Sequence, residues 1–135
     1  MLSKITYLGD LRTESVHLQS GEHIITDAPV DNHGKGQAFS PTDMVTNAAG
    51  SCAMTIMGIK ANELGVDLVG STIEVYKEMQ ADPRRIKKIT LHMSMLSTAN
   101  EKERIILERV AMHCPVLLSL HPEIEKEVTF NWTQK

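Results

Sequence analysis

The sequence lacks the features that would direct a protein into a membrane, onto a nucleic acid or through an export route. Its longest apolar candidate is broken by Lys60, Asn62 and Glu63, short of the roughly 18 residues that span a bilayer. The net charge is -3, and only residues 84–88 form a basic stretch, too little to neutralise phosphates. Residues 1–10 have no apolar segment typical of a secretory signal. We therefore expect a cytoplasmic protein with neither membrane nor nucleic-acid partners.

Metal and nucleotide motifs are also missing. The six histidines and two cysteines show no Cys-x-x-Cys or His-x-x-x-His spacing. Glu14 and His17 are three residues apart, but on a predicted strand that spacing places them on opposite faces. The chain has no glycine-rich phosphate loop and no G-x-S-x-G elbow. The sequence therefore predicts no metal site and no bound cofactor.

The length and composition fit one globular domain covering residues 1–135. Hydrophobic residues make up 41% of the chain and charged residues 23%, which is ordinary for a folded protein. A domain of this size buries about two-thirds of the surface that its unfolded chain exposes, enough for a core.

The clearest local signal is a long helix that starts near Ser40. Ser40, Pro41 and Asp43 supply an N-cap, a proline at the first helical position and an acid in the first turn. Gly65 supplies the stop, so the pattern predicts a helix of about 24 residues ending near Leu64.

The other predicted elements surround that helix in the sequence. Three short antiparallel strands and a loop precede it, at 3–7, 14–18, 23–27 and 28–39. Strands within 66–79 and 85–97 follow, on either side of Asp82-Pro83. Asn100 caps a second helix, a short third helix begins at Pro115, and 125–132 forms a closing strand. The order β-β-β-α-β-β-α-α-β indicates an α+β fold.

Cys52 and Cys114 are the best candidates for chemistry. Buried cysteines are often inert packing, so that alternative stays open beside a thiol redox pair. In a reducing cytoplasm a disulfide between them would be transient and belong to a reaction cycle. Cys114 directly precedes Pro115 and can use the partial positive charge of a helix start. Cys52 lies about three turns into its helix, beyond that effect, so its thiolate needs a cation from elsewhere.

Two further patterns bear on Cys52. Met44, Ala48, Cys52 and Ile56 are spaced by four residues, which places the cysteine on an apolar stripe facing the core or a partner subunit. Among the arginines, Arg12 is the candidate cation because it falls in a predicted turn between strands, outside the charge-rich stretches. A simply solvated arginine is the alternative.

Several motifs together resemble the OsmC/Ohr family of organic hydroperoxide reductases. Phe39-Ser40-Pro41-Thr42-Asp43-Met44, followed by Ala48-Ala49-Gly50-Ser51-Cys52, is similar to the central-helix signature of that family. Cys114-Pro115-Val116 is similar to its second-cysteine motif, and the element order agrees along the whole chain. The resemblance implies an OsmC-like fold, with antiparallel strands wrapped around a long central helix in an intertwined homodimer.

The resemblance also implies roles for individual residues. Cys52 matches the peroxidatic cysteine, Cys114 the resolving cysteine, and Arg12 the arginine that favours the thiolate. The implied activity is a thiol peroxidase that reduces organic hydroperoxides, with hydrogen peroxide a further candidate substrate. An external dithiol would regenerate the enzyme, without metal or flavin.

The chain departs from the Ohr pattern after the helix-start proline. The Ohr branch has a glutamate there that pairs with the arginine, whereas this chain has Thr42 and then Asp43. One position along a helix rotates a side chain by about 100°. Asp43 is therefore either the partner of Arg12 or only a helix-start acid, and the general OsmC-like branch fits better. The rival function is a family member that binds an apolar small molecule at the dimer interface without turnover.

Overall fold

The computed structural model describes all of residues 1–135. Its elements follow the predicted order: β1 Ser3–Gly9, β2 Arg12–His17, β3 His23–Asp27, a short 3-10 helix Val30–Asn32, α1 Pro41–Leu64, β4 Thr72–Gln80, β5 Arg85–Ser97, α2 Glu101–Met112, α3 Pro115–Ser119 and β6 Glu125–Gln134. The chain divides into two units, Met1–Val45 and Thr46–Lys135. None of its helices combines the length and the apolar character needed to cross a membrane.

The first unit contains a three-stranded antiparallel sheet in the order β1-β2-β3. Asp10 and Leu11 form the two-residue turn between β1 and β2, with φ angles of 51° and 63°. Positive φ at both positions matches the right-handed twist of a tight hairpin. The prediction that Arg12 lies in this turn is wrong, because Arg12 is the first residue of β2. It faces Gly9 on one side and Asp27 on the other.

Helix α1 has the predicted bounds, because the residues predicted to start it and to stop it do so in the structure. The Ser40 hydroxyl accepts a hydrogen bond from the Asp43 amide at 3.0 Å, and the Asp43 carboxylate accepts one from the Ser40 amide at 3.0 Å. This reciprocal capping box satisfies two amides that the first turn leaves free. At the other end, Gly65 adopts a φ of 70°, the left-handed conformation that terminates helices.

The second unit is built on a sheet in the order β4-β5-β6. Strand β4 is antiparallel to β5, but β6 is parallel to β5, from Lys88 beside Glu125 to Ser97 beside Gln134. The expectation of antiparallel strands therefore fails for this last pair. A parallel partner needs a crossover, which the segment containing α2 and α3 provides. Strand β4 also begins later than predicted, at Thr72, because a turn precedes it in which the Ser71 amide bonds to the Leu68 carbonyl at 3.1 Å.

Helix α1 packs on this sheet through a row of small residues and one methionine. The buried members are Ala49, Ala53, Met57 and Ala61, and they share a core with Leu91 and other residues of β5. At Gly50 the sheet comes close, since a Cβ there would lie 3.3 Å from Val75 Cγ2 and 3.4 Å from Leu91 Cδ2. The helix therefore rests on β4 and β5 one half-turn before Cys52.

Candidate active site

Cys52 lies beside the buried face of α1. The predicted stripe of Met44, Ala48, Cys52 and Ile56 is half-buried along its whole length, and the row that faces the core lies one residue further along, from Ala49 to Ala61. Cys52 and Ile56 of the stripe pack at the edge of the core, and the partner subunit that the prediction gave as its alternative stays a prediction. Cys52 packs against the core edge and keeps part of its surface accessible. A half-buried thiol has both an apolar environment and a path for substrate.

Cys114 is fully buried at the N-cap of α3. Its backbone is extended, with φ -66° and ψ 145°, as expected of a residue that precedes proline. Its Sγ accepts a hydrogen bond from the Leu117 amide at 3.4 Å, the arrangement of an N-cap side chain. The prediction that this cysteine lies at a helix N-terminus is confirmed.

The fold brings the two cysteines together. They lie far apart in the sequence, yet the Cys52 side chain is near enough to Cys114 to raise the pKa of the Cys114 thiol. Both are free thiols in this structure. Cys52 lies in α1, and Cys114 lies at the start of α3. Both residues belong to the second unit.

The environment of Cys114 favours its protonated form. Burial, the largest effect, raises the pKa of the Cys114 thiol above its usual range. The Leu117 and Val116 amides act in the opposite direction, while the neighbouring Cys52 side chain raises this pKa further. The expectation that the helix start would activate Cys114 is therefore wrong in its net direction. Helix α3 has only five residues, so its dipole offsets little of the burial.

Arg12 and Asp43 belong to the first unit. Arg12 is half-buried, and its Nε has no hydrogen-bond partner. Asp43 serves as the acid of the α1 capping box, which confirms its role at the helix start. The pairing of Asp43 with Arg12 and the catalytic roles of both residues stay predictions. Of the four predicted site residues, the structure brings together Cys52 and Cys114.

Asp27 is a buried acid that the sequence patterns did not single out. It ends β3 and is 1% exposed, and its Oδ2 accepts a hydrogen bond from the Gln37 amide at 3.0 Å. Its Oδ1 is buried without a hydrogen-bond partner. The available signal was an acid at the last position of a predicted strand, beside a long loop. A buried carboxylate with an unused oxygen is unusual enough to require a reason.

A cavity of about 290 Å³ lies along the second half of α1. Neither cysteine lines it, and most of its wall comes from α1 and the turn before β4: Met54, Gly58, Ala61, Asn62, Val66, Asp67, Leu68, Val69 and Ser71. No group of three or more His, Cys, Asp or Glu side chains is arranged to hold a metal ion.

A family model described as OsmC-like protein matches residues 34–129, which include both cysteines. The chain belongs to the OsmC-like family. A solved structure from Psychrobacter arcticus 273-4, described as a candidate osmotic stress induced and detoxification response protein, is 47% identical with a TM-score of 0.93. That similarity covers 97% of this chain and 96% of the other.

More distant OsmC-like structures share the fold. An organic hydroperoxide resistance protein OsmC from Legionella pneumophila is 16% identical, with a TM-score of 0.70 over 96% of this chain and 94% of that one. The organic hydroperoxide resistance protein OhrB of Bacillus subtilis is 15% identical, with a TM-score of 0.68 over 97% of this chain and 98% of its own. Among curated proteins, none matches this chain. The predicted OsmC-like fold is thus confirmed.

Proposed function

We propose that this OsmC-like protein is a cysteine-based thiol peroxidase that reduces organic hydroperoxides, with hydrogen peroxide as a further substrate. The observation that carries the proposal is the pair of free thiols, Cys52 and Cys114, whose side chains lie near enough to interact. Their difference in exposure supports different roles for the two cysteines, with Cys52 attacking the peroxide and Cys114 resolving the sulfenic acid. A hydroperoxide can approach the half-buried Cys52 more readily than the buried Cys114. Relatives named for hydroperoxide resistance have the same fold.

The proposed cycle balances with the two thiols and one external reductant. The Cys52 thiolate attacks the terminal peroxide oxygen, the O–O bond breaks, and the alkoxide takes a proton and leaves as an alcohol. Cys52 is then a sulfenic acid. The Cys114 sulfur attacks the Cys52 sulfur, water leaves, and a disulfide forms. An external dithiol reduces this disulfide by exchange and is itself oxidised to a disulfide.

The raised pKa of Cys114 fits the role of a resolving cysteine. A protonated, buried thiol is a poor nucleophile toward peroxide, so it does not compete with Cys52 for substrate. In the proposed cycle the sulfenic acid forms on a side chain that already interacts with Cys114, so the resolving thiol is at hand. The proton that Cys114 retains is lost only when its sulfur attacks.

We further propose that Arg12 is the cation that favours the Cys52 thiolate, with Asp43 as a candidate partner of Arg12. This assignment rests on the similarity of the motifs to the OsmC/Ohr pattern.

We also propose a homodimer in the reducing cytoplasm. Large apolar side chains on both faces of the β1-β2-β3 sheet are exposed in the single chain, among them Ile5, Tyr7, Leu8 and Ile24. A second copy that covers them would give this small sheet the hydrophobic contact that it needs.

The test is turnover of cumene hydroperoxide with a dithiol reductant. Cys52→Ser should abolish turnover, because no thiolate remains to attack. Cys114→Ser should form no disulfide with Cys52, and after one equivalent of hydroperoxide without reductant it should hold a Cys52 sulfenic acid that dimedone traps. Equal residual rates for the wild-type protein and both variants would reject catalysis.

The rival function is binding of an apolar small molecule at the dimer interface without turnover. The cavity of about 290 Å³ beside Met54 and Leu68 supports binding of a small molecule, because its volume is near the lower end of the range for small-molecule sites. The test adds the alcohol that corresponds to the hydroperoxide, which cannot react. If this alcohol fills the cavity, it should raise the melting temperature of the protein. That shift together with no consumption of hydroperoxide would select the binding function.

A further inference from the structure

Asp27 and Arg12 are direct neighbours across strands β2 and β3. The register of the antiparallel pair places Arg12 opposite Asp27. Residues opposite each other have side chains on the same face, with Cβ atoms about 4.5–5.5 Å apart. Glu14 lies on this face as well, two residues along β2, where it faces Ile25.

Each of the two neighbours has one buried polar atom without a partner. These atoms are the Arg12 Nε, which is a donor, and the Asp27 Oδ1, which is an acceptor. A buried donor and a buried acceptor left unpaired are each costly, and a hydrogen bond between them removes both costs at once. The arginine side chain has four rotatable bonds, so it can make this bond without any movement of the strands.

Asp27 is fixed while Arg12 is adjustable. The Asp27 Oδ2 accepts a hydrogen bond from the Gln37 amide at 3.0 Å, and the Asp27 amide donates one to the Phe39 carbonyl at 3.2 Å. The carboxylate is therefore attached to the end of the 28–39 loop, next to the start of α1. Its orientation is set by these bonds before any contact with arginine.

We propose that Asp27 is a positioning residue that holds the guanidinium of Arg12 through a hydrogen bond from Arg12 Nε–H to Asp27 Oδ1. The role of this pair in catalysis rests on the proposed peroxidase function, in which Arg12 favours the Cys52 thiolate. The carboxylate restrains the side chain that carries the cation. Asp27 then acts as an arginine partner through Nε, which leaves the other guanidinium nitrogens for the pairing proposed with Asp43.

The direct test follows the Arg12 Nε–H signal by proton–nitrogen NMR in the full-length protein. In the wild type this proton should exchange slowly with water, because the bond to a buried carboxylate protects it. Asp27→Asn keeps the shape of the side chain and an acceptor for Gln37, but removes the charge. It should speed the exchange by about tenfold or more, since hydrogen bonds to charged groups are the stronger ones. Glu14→Gln is the matched control, because that half-buried carboxylate already contacts His23, and it should leave the exchange unchanged.

A kinetic readout separates positioning from mere support of the fold. Asp27→Asn should lower kcat/KM for cumene hydroperoxide by about tenfold and move its pH profile to higher pH. In an Arg12→Met background the same substitution should have no further effect, because the group that it acts through is gone. Asp27→Glu should restore part of the activity.

The outcomes keep the two proposals apart. Fast exchange of Arg12 Nε–H in the wild type overturns the pairing without requiring any variant to fold, and so does an unchanged rate in Asp27→Asn. A tenfold loss of activity that persists in the Arg12→Met background overturns the positioning role. If the exchange results hold but the wild type consumes no hydroperoxide, the peroxidase proposal fails while the Asp27–Arg12 bond stands.

Discussion

Two glycines inside α1, Gly50 and Gly58, offer a matched perturbation of the packing that supports the site. Glycine in a helix interior costs about 0.5–1 kcal/mol relative to alanine, because the unfolded chain is more flexible. A Cβ added at Gly58 would meet nothing within 4 Å. Gly58→Ala should therefore raise the free energy of unfolding by about 0.5–1 kcal/mol.

Gly50→Ala brings the same gain in helix propensity as Gly58→Ala, but its added Cβ meets side chains of the sheet. Its Cβ would lie 3.3 Å from Val75 Cγ2 and 3.4 Å from Leu91 Cδ2, tighter than ordinary van der Waals contact. The two strand side chains must yield, so we expect little or no net gain. Gly50→Val adds two further methyl groups to this contact and should lower the free energy of unfolding by about 1–3 kcal/mol through overpacking.

Urea unfolding of the reduced proteins at one fixed protein concentration measures these differences, since a dimer would make stability depend on concentration. Because Gly50 lies half a turn before Cys52, Gly50→Val should also slow formation of the Cys52–Cys114 disulfide, whereas Gly58→Ala should not. Equal stabilisation by both alanine substitutions would refute the close approach of α1 to β4 and β5.

Two further predictions concern the capping box and the buried thiol. Ser40→Ala should lower the free energy of unfolding by about 1 kcal/mol, measured with urea, because it removes the acceptor of the Asp43 amide; no change would show that the capping box is not formed. Folding raises the pKa of Cys114 above the ordinary value of 9.0, so its contribution to stability should be complete below that pH and decline as pH rises above it. Cys114→Ser should remove this part of the alkaline loss in pH-dependent unfolding under reducing conditions, and parallel curves for the two proteins would contradict the raised pKa.

The ends of the helices could be predicted because their signals are local. Ser40, Pro41 and Asp43 start α1, and Gly65 stops it, within a few bonds of the residues that they act on. The same holds for Asn100, whose side chain accepts a hydrogen bond from the Glu103 amide at 3.0 Å and completes a capping box.

Properties that depend on distant partners could not be read from the sequence. The alternation in 125–132 predicts a strand but not its neighbour, so the parallel pairing of β6 with β5 could be seen only in the structure. The fully buried row of α1 could not be singled out from the sequence, because small residues occur on several faces of this helix and the approach of β5 decides which face is buried. The turn position expected for Arg12 depended on a hairpin register that a shift of one or two residues changes.

For the site, the sequence motifs name candidate residues but do not give their surroundings or the energies of their interactions. The two cysteine motifs identify Cys52 and Cys114, but spacing cannot show that their side chains meet. Burial of Cys114 likewise depends on how α2, α3 and the sheet enclose it, and that burial outweighs the helix-start amides on which the sequence argument relied.

The most direct measurement treats the reduced protein with one equivalent of cumene hydroperoxide and no reductant, and follows intact mass and a peptide map. The account predicts loss of two hydrogen atoms and a single new disulfide that links Cys52 to Cys114 within one chain. Two unmodified thiols, or a Cys52 overoxidised beside a free Cys114, would contradict it.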